Sequence, residues 1–146
     1  ICGAGELGLT VSEILRHAGV VHLLLEADEQ KVGAARATGA PVFHGDASRP
    51  DTLLAAGLAH ARLVVLTFAQ PKPALRIAKA IARHRPALTV LVSCRYMTEA
   101  GVFRDMPNVR VYQQSFAAAI GLAEQVMSSL DMSAEVVERN ISAMRH

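Results

Sequence analysis

Short runs dense in Val, Leu and Ile alternate along the chain with longer segments whose apolar positions recur every three to four residues. The short runs have the length of strands buried on both faces. The longer ones have that of helices with one buried stripe, and together they make the pattern of a parallel sheet joined by crossover helices. Strands are predicted at 1–2, 20–25, 41–44, 63–67, 89–93 and 109–111, and helices at 7–18, 29–38, 50–57, 73–84 and 97–105. Local chemistry supports these bounds. Gly19 and Gly39 stand just past helix ends, Asp28 and Ser48 stand just before helix starts, and Pro86 stops the fourth helix.

Right-handed crossovers turn this β-α alternation into an open, doubly wound parallel sheet of order 3-2-1-4-5-6, an α/β Rossmann-like domain over 1–130. Additional C-terminal helices follow. The first, capped by Ser115, carries Phe116, Ile120, Ala123, Met127 and Leu130 on one side, and a last helix over 133–144 carries Val137, Ile141 and Met144. The segment 131–146 is expected to stand apart. Its apolar stripe fits either a partner subunit or next domain, or a fold back onto its own core.

Composition narrows the class. A length of 146 residues with 51% hydrophobic and 19% charged residues suits one compact domain and excludes a disordered chain. Lys+Arg 15 against Asp+Glu 13 leaves no long acidic or basic tail. No run reaches roughly 18 apolar residues, so no membrane span is expected. Cys2 and Cys94 are too few for a disulfide scaffold and lack zinc-ligand spacing, which favours a reducing interior. In the expected sheet order a third strand separates them by about 10 Å, beyond a disulfide's reach of roughly 7 Å. The chain opens two residues before a glycine motif that should follow a strand of about five residues, so a piece of a longer protein is expected. No secretory signal precedes that motif.

The motif is Gly3-Ala4-Gly5-Glu6-Leu7-Gly8, a G-x-G-x-x-G placed between a strand remnant and an amphipathic helix. Gly3 would allow the tight turn, Gly5 the approach of a phosphate to the backbone, and Gly8 close packing of helix on sheet. The anion would rest on bare amides at a helix start, where the dipole supplies about half a positive charge. Eighteen residues after Gly8, Glu26 ends the second strand, where a carboxylate can accept from both ribose hydroxyls. The alternative is a solvent-facing acid. Ala27, Asp28 and Glu29 follow with no nearby arginine, so a 2′-phosphate would meet like charge, favouring NAD(H) or an adenine mononucleotide over NADP. Asp28 is assigned to helix capping.

Beyond the third strand, His44-Gly45-Asp46-Ala47-Ser48 lies beside the expected adenine pocket. Asp46 either accepts from the base's amino group or makes an Asx turn. His44 is read as structural. Thr67 and Arg95 end the fourth and fifth strands and face the same crevice; Arg95 either neutralises a phosphate or pairs with a local acid.

These runs resemble a known family. Cys2 to Gly8, Leu24-Leu25-Glu26-Ala27-Asp28 and Val42-Phe43-His44-Gly45-Asp46-Ala47-Ser48 are similar to the N-lobe of RCK domains, the TrkA-N domain. They are most similar to the cytoplasmic domains of Kef-type potassium efflux systems and related cation:proton antiporters. The resemblance continues through Leu54-Ala55-Ala56-Gly57-Leu58, Arg95, Phe116 and the last helix. It implies a cytoplasmic regulatory domain that binds NAD(H), AMP or another adenine nucleotide, forms a homodimer and biases the gate of a membrane transporter. It implies that Gly3, Gly5 and Gly8 form the phosphate loop, with Glu26 the ribose acid, Asp46 the adenine-side acid and Arg95 the basic residue after the fifth strand. Ala4, Glu6, Leu7, Ala27, Ala47 and Thr67 complete the expected cofactor-binding set.

Two departures stand out. After the fourth strand, where Kef-like domains carry an acidic pair, the chain reads Phe68-Ala69-Gln70-Pro71-Lys72-Pro73-Ala74. Glu6 and Gln113 occupy positions where glutathione-gated Kef proteins carry arginines, which speaks against glutathione gating.

Other classes fit less well. An NAD-dependent oxidoreductase is the main alternative, yet no proton donor is visible: Tyr96 and Tyr112 have no lysine four residues on, and His17, His22, His44, His60, His84 and His146 are scattered. No catalytic residue and no metal site is expected. Arg76, Lys79, Arg83 and Arg85 read as a solvated helix side; with no Trp, and Phe and Tyr totalling six, nucleic-acid binding is not expected.

Overall fold

The computed structural model describes residues 1–68 and 70–145; Ala69 of the run after the fourth strand and His146 lie outside the described residues. The chain divides into two compact units, Ile1–Tyr112 and Gln113–His146. The compact units divide at 112/113, within the span 1–130 expected of the sheet domain, and group α6 with the last helix.

In the first unit, β1 (Leu24–Glu26) pairs in parallel with β2 (Val42–His44), and β3 (Val64–Leu66) with β4 (Val90–Cys94), beside which lies β5 (Val109–Gln113). Cys2 makes parallel bridges to both Leu25 and Leu66, so the strand remnant before the glycine motif lies between the two pieces. The helices are α1 (Glu6–His17), α2 (Glu29–Ala37), α3 (Pro50–Ala55), α4 (Pro71–His84) and the short α5 (Met97–Ala100). Consecutive strand residues point to opposite faces: Leu25 belongs to the cluster built with Ile77, Ile81 and Leu66, and Leu24 to a second one with Ala4 and Ala35. Both faces are thus covered, as a parallel sheet requires. The alanines of α4 at 74 and 78 let it press on the sheet, and complete burial of Leu66 and Ile81 contributes about 1.5–3 kcal/mol each.

Several expected boundaries shift for local reasons. The strand expected over 20–25 begins at Leu24, whose amide donates to the Pro41 carbonyl; Val21 is fully exposed. The third helix stops at Ala55, where Gly57 turns the chain with φ +100° into a 3₁₀ turn, Leu58–His60. The fifth breaks into α5 and a 3₁₀ turn, Gly101–Phe103. Asp28 caps α2 as expected, accepting from the amides of Gln30 and Lys31. Ser48 and Ser115 are not caps: Arg49 and Gln113 hold those positions, and the Ser115 hydroxyl sits inside its helix, accepting from Gln113.

Arg85 was grouped with the solvated cations, but it is half-buried. Its Nη1 donates to the carbonyls of Leu58, Ala59 and Ala61 at 2.9–3.0 Å, tying the end of α4 to the 3₁₀ turn.

The second unit is a helix pair, α6 (Gln114–Ser129) and α7 (Ala134–Met144), packed on each other and linked by an Arg145–Glu124 ion pair at 3.4 Å. Of the stripe on α7, Ile141 is buried, Val137 half-buried and Met144 exposed. No residue of α6 is buried; of the expected row, Ile120, Ala123 and Met127 are half-buried while its two ends, Phe116 and Leu130, are exposed, as are Leu122 and Val126 beside it. No helix among the described residues is long and apolar enough to cross a membrane.

Candidate functional site

β1 with β2, β3 with β4 and both bridges of Cys2 run parallel, so Glu26, His44, Thr67 and Arg95 come to the same carboxyl edge of the sheet, and the glycine motif lies at that edge after Cys2. The three motif glycines answer three different demands. Gly3 has φ +107°, which L side chains rarely adopt, and a Cβ there would strike the Thr67 hydroxyl. A Cβ on Gly8 would strike the carbonyl of Gly3, so its hydrogen is what lets α1 start against the loop. Gly5 has ordinary extended backbone and open space around it: a side chain would fit, but it would fill the concavity over the helix start.

That start is bare. Gly5 is the N-cap of α1 and no side chain caps it. The first i→i−4 bond runs from the Leu9 amide to the Gly5 carbonyl, so the amides of Glu6, Leu7 and Gly8 precede the helix ladder. Three such donors with a helix dipole behind them, under a glycine, suit a phosphate-sized anion. Ala4 plays another part: it is buried, and its amide donates to Glu26 Oε2 at 2.8 Å. Glu26 Oε1 accepts from the Asp28 amide at 2.9 Å. The carboxylate thus clamps the glycine loop to the turn after β1. Two oxygens offer about four acceptor positions, so two remain for ligand hydroxyls. Sequence reasoning found the acid but not this clamp.

Around this centre the expected residues divide. Thr67 points under the loop: its hydroxyl lies 3.0 and 3.1 Å from the carbonyls of Cys2 and Gly3, to which it can donate, buttressing the turn that Gly3 makes. Ala47 belongs to the core cluster. Ala27 is exposed, and its carbonyl accepts from His44 Nε2 at 3.0 Å, which gives His44 the structural role expected of it. Leu7 and Glu6 expose their side chains on the first turn of α1. Asp46 is exposed and forms the Asx turn, accepting from the Ser48 amide at 2.8 Å. The Ser48 hydroxyl and amide hold its carboxyl below the ordinary range, with smaller help from Arg49 and Arg76.

Arg95 is exposed, and its guanidinium makes no ion pair among the described residues. The nearby acid, Glu99, is engaged otherwise: Oε2 accepts from the amides of Arg95 and Tyr96 at 2.8 and 3.0 Å. Glu99 fixes the loop that presents Arg95, a role signalled only by a Glu at the third position of α5. Burial pushes the Cys2 thiol up to about 11 and raises that of Cys94, so both free thiols are protonated at neutral pH. Among the described residues no three His, Cys, Asp or Glu gather as metal ligands. An open hollow of about 260 Å³ lined by Arg16, Val20, His22 and Pro41 shares no residue with the glycine loop.

An uncapped glycine start at the carboxyl edge of a parallel sheet, with an acid ending the neighbouring strand, is the layout of a Rossmann-like fold. The TrkA-N domain model matches residues 1–112, and the chain belongs to that family. Over 145 residues it is 30% identical to a protein of Alkalimonas amylolytica named as a K(+) efflux antiporter, KefB, covering 99% of this chain. The chain spans 22% of that curated relative's length. The Kef C-terminal domain of Shewanella denitrificans in its AMP-bound form superposes with a TM-score of 0.82 at 26% identity, covering 99% of this chain and 87% of that one. The TrkA-N domain of the Escherichia coli inner membrane protein ybaL shares the fold, with a TM-score of 0.74 at 20% identity, covering 85% of this chain and 92% of that one.

Proposed function

We propose that this chain is the cytoplasmic nucleotide-sensing domain of a potassium or other monovalent-cation transporter, binding NAD(H), AMP or a related adenine nucleotide and biasing ion flux. The observation that carries the reading is the pairing of α1's bare amides with a carboxylate that is already clamped yet retains free acceptor positions. The phosphate takes the amides of Glu6, Leu7 and Gly8, and the ribose hydroxyls donate to Glu26. Asp46 lies on the adenine side, and the free guanidinium of Arg95 meets negative charge at the same edge. The chain does no chemistry of its own. It acts by a difference in affinity between two arrangements, a coupling of about 1–3 kcal/mol. Those arrangements are set by a homodimer, for which the exposed Leu122 and Val126 of α6 and Leu130 at its end supply an apolar face, and by the membrane part of the transporter.

Titration calorimetry with AMP and NADH tests this. Glu26→Ala is expected to weaken binding more than about tenfold, as loss of charge-assisted hydrogen bonds implies. Glu26→Gln, which keeps the shape, should weaken it less. NADPH should bind more weakly than NADH to the native chain, because its 2′-phosphate meets Glu26. Absence of heat with both nucleotides, or unchanged affinity in Glu26→Ala, overturns the reading.

A further inference from the structure

Five of the chain's fifteen Lys and Arg residues lie between Lys72 and Arg85, a segment without Asp or Glu. Arg85 is turned onto backbone carbonyls. The other four, Lys72, Arg76, Lys79 and Arg83, are all exposed and follow one another at spacings of four, three and four. That spacing lines them along one side of α4 over about 16 Å. None of the four makes an ion pair among the described residues. The opposite side of α4, through Ala74, Ile77, Ala78 and Ile81, is buried and fixes the helix, so the cationic side can only face outward.

Like charges three and four residues apart destabilise a helix, and an anionic surface laid along the row removes that repulsion. The row has no aromatic side chain on which a base could stack. An extended anionic surface is also at hand for such a domain: one TrkA-N domain of the same fold belongs to an inner membrane protein. We propose that the row Lys72–Arg76–Lys79–Arg83 is an adsorption face for anionic phospholipid headgroups of the membrane that carries the transporter. It rests on the membrane-partner reading above but not on nucleotide binding. Several clustered cations held near an anionic leaflet suffice for adsorption, and the attraction is screened by salt.

The test is co-sedimentation of the nucleotide-free chain with phosphatidylglycerol-containing or pure phosphatidylcholine vesicles, at about 50 and about 500 mM salt. Adsorption is expected on the anionic vesicles at low salt only. Lys79→Glu with Arg83→Glu should lower partitioning at least about tenfold, with AMP affinity unchanged. The same charge change at exposed positions off the row, Arg104→Glu with Arg110→Glu, should lower it less than threefold, as a general charge effect alone would. Equal partitioning to both vesicle types or equal loss in the two double variants would each overturn the proposal. Failure here with normal AMP binding would sink the lipid face and leave the sensor reading standing.

Discussion

Helices α1 and α4 start at the same sheet edge, after strand positions that flank each other through Cys2 and Leu66, and neither start has a side-chain cap. Their chemistry is nonetheless opposite. α1 offers the amides of Glu6, Leu7 and Gly8 beneath an open glycine. At α4, Pro71 and Pro73 have no N–H, so before the first ladder bond, from Ala74 to the Gln70 carbonyl, only the Lys72 amide remains. Position in a doubly wound sheet therefore does not make an anion site; the donors left bare do. One start leaves three amides free for the proposed ligand, and the other leaves one.

The comparison breaks most sharply at Gly5. Because its backbone is ordinary and the space is open, Gly5→Asp should fold normally, with a melting temperature unchanged or slightly raised by the new cap. It should weaken AMP binding about a hundredfold or more, since a tethered carboxylate occupies the donors. Unaltered calorimetric affinity would show that α1's start is not the cradle. The reverse dissociation comes from α4's far end: Arg85→Met leaves the carbonyls of Leu58, Ala59 and Ala61 without their donor and should cost about 1–3 kcal/mol in denaturant unfolding. AMP affinity should not move. The smallest effect is expected where donors are restored to α4: Pro71→Ala with Pro73→Ala should change AMP affinity less than about twofold, because the phosphate already has its seat. A larger gain would mean that both helix starts hold the ligand.

Periodicity made the β-α order, the glycine motif and Glu26 legible, since each depends on spacing within a few residues. What escaped depends on contacts between distant segments. Arg85 reaches carbonyls 24–27 residues earlier, and nothing in a basic helix stripe singles it out. Thr67 was read as facing the crevice, but Gly3's missing Cβ makes room for its hydroxyl underneath the loop. Ser48 and Ser115 have the right residue type for caps, yet the cap positions, Arg49 and Gln113, fall one residue after the first and two before the second. The division at 112/113 is not legible in the sequence, because α6 has the amphipathic pattern of a crossover helix while its packing partner α7 lies further along the chain.

The two amides on Glu26 also set how a ligand is met. A free glutamate on a strand end would have to surrender its rotamers when a sugar arrived, a loss of up to about 1.5–2 kcal/mol. Here that loss occurred on folding, since Ala4 and Asp28 already hold the carboxylate from both sides. Hydroxyls of the proposed ligand would find a rigid acceptor, and little of their binding energy would go into ordering it.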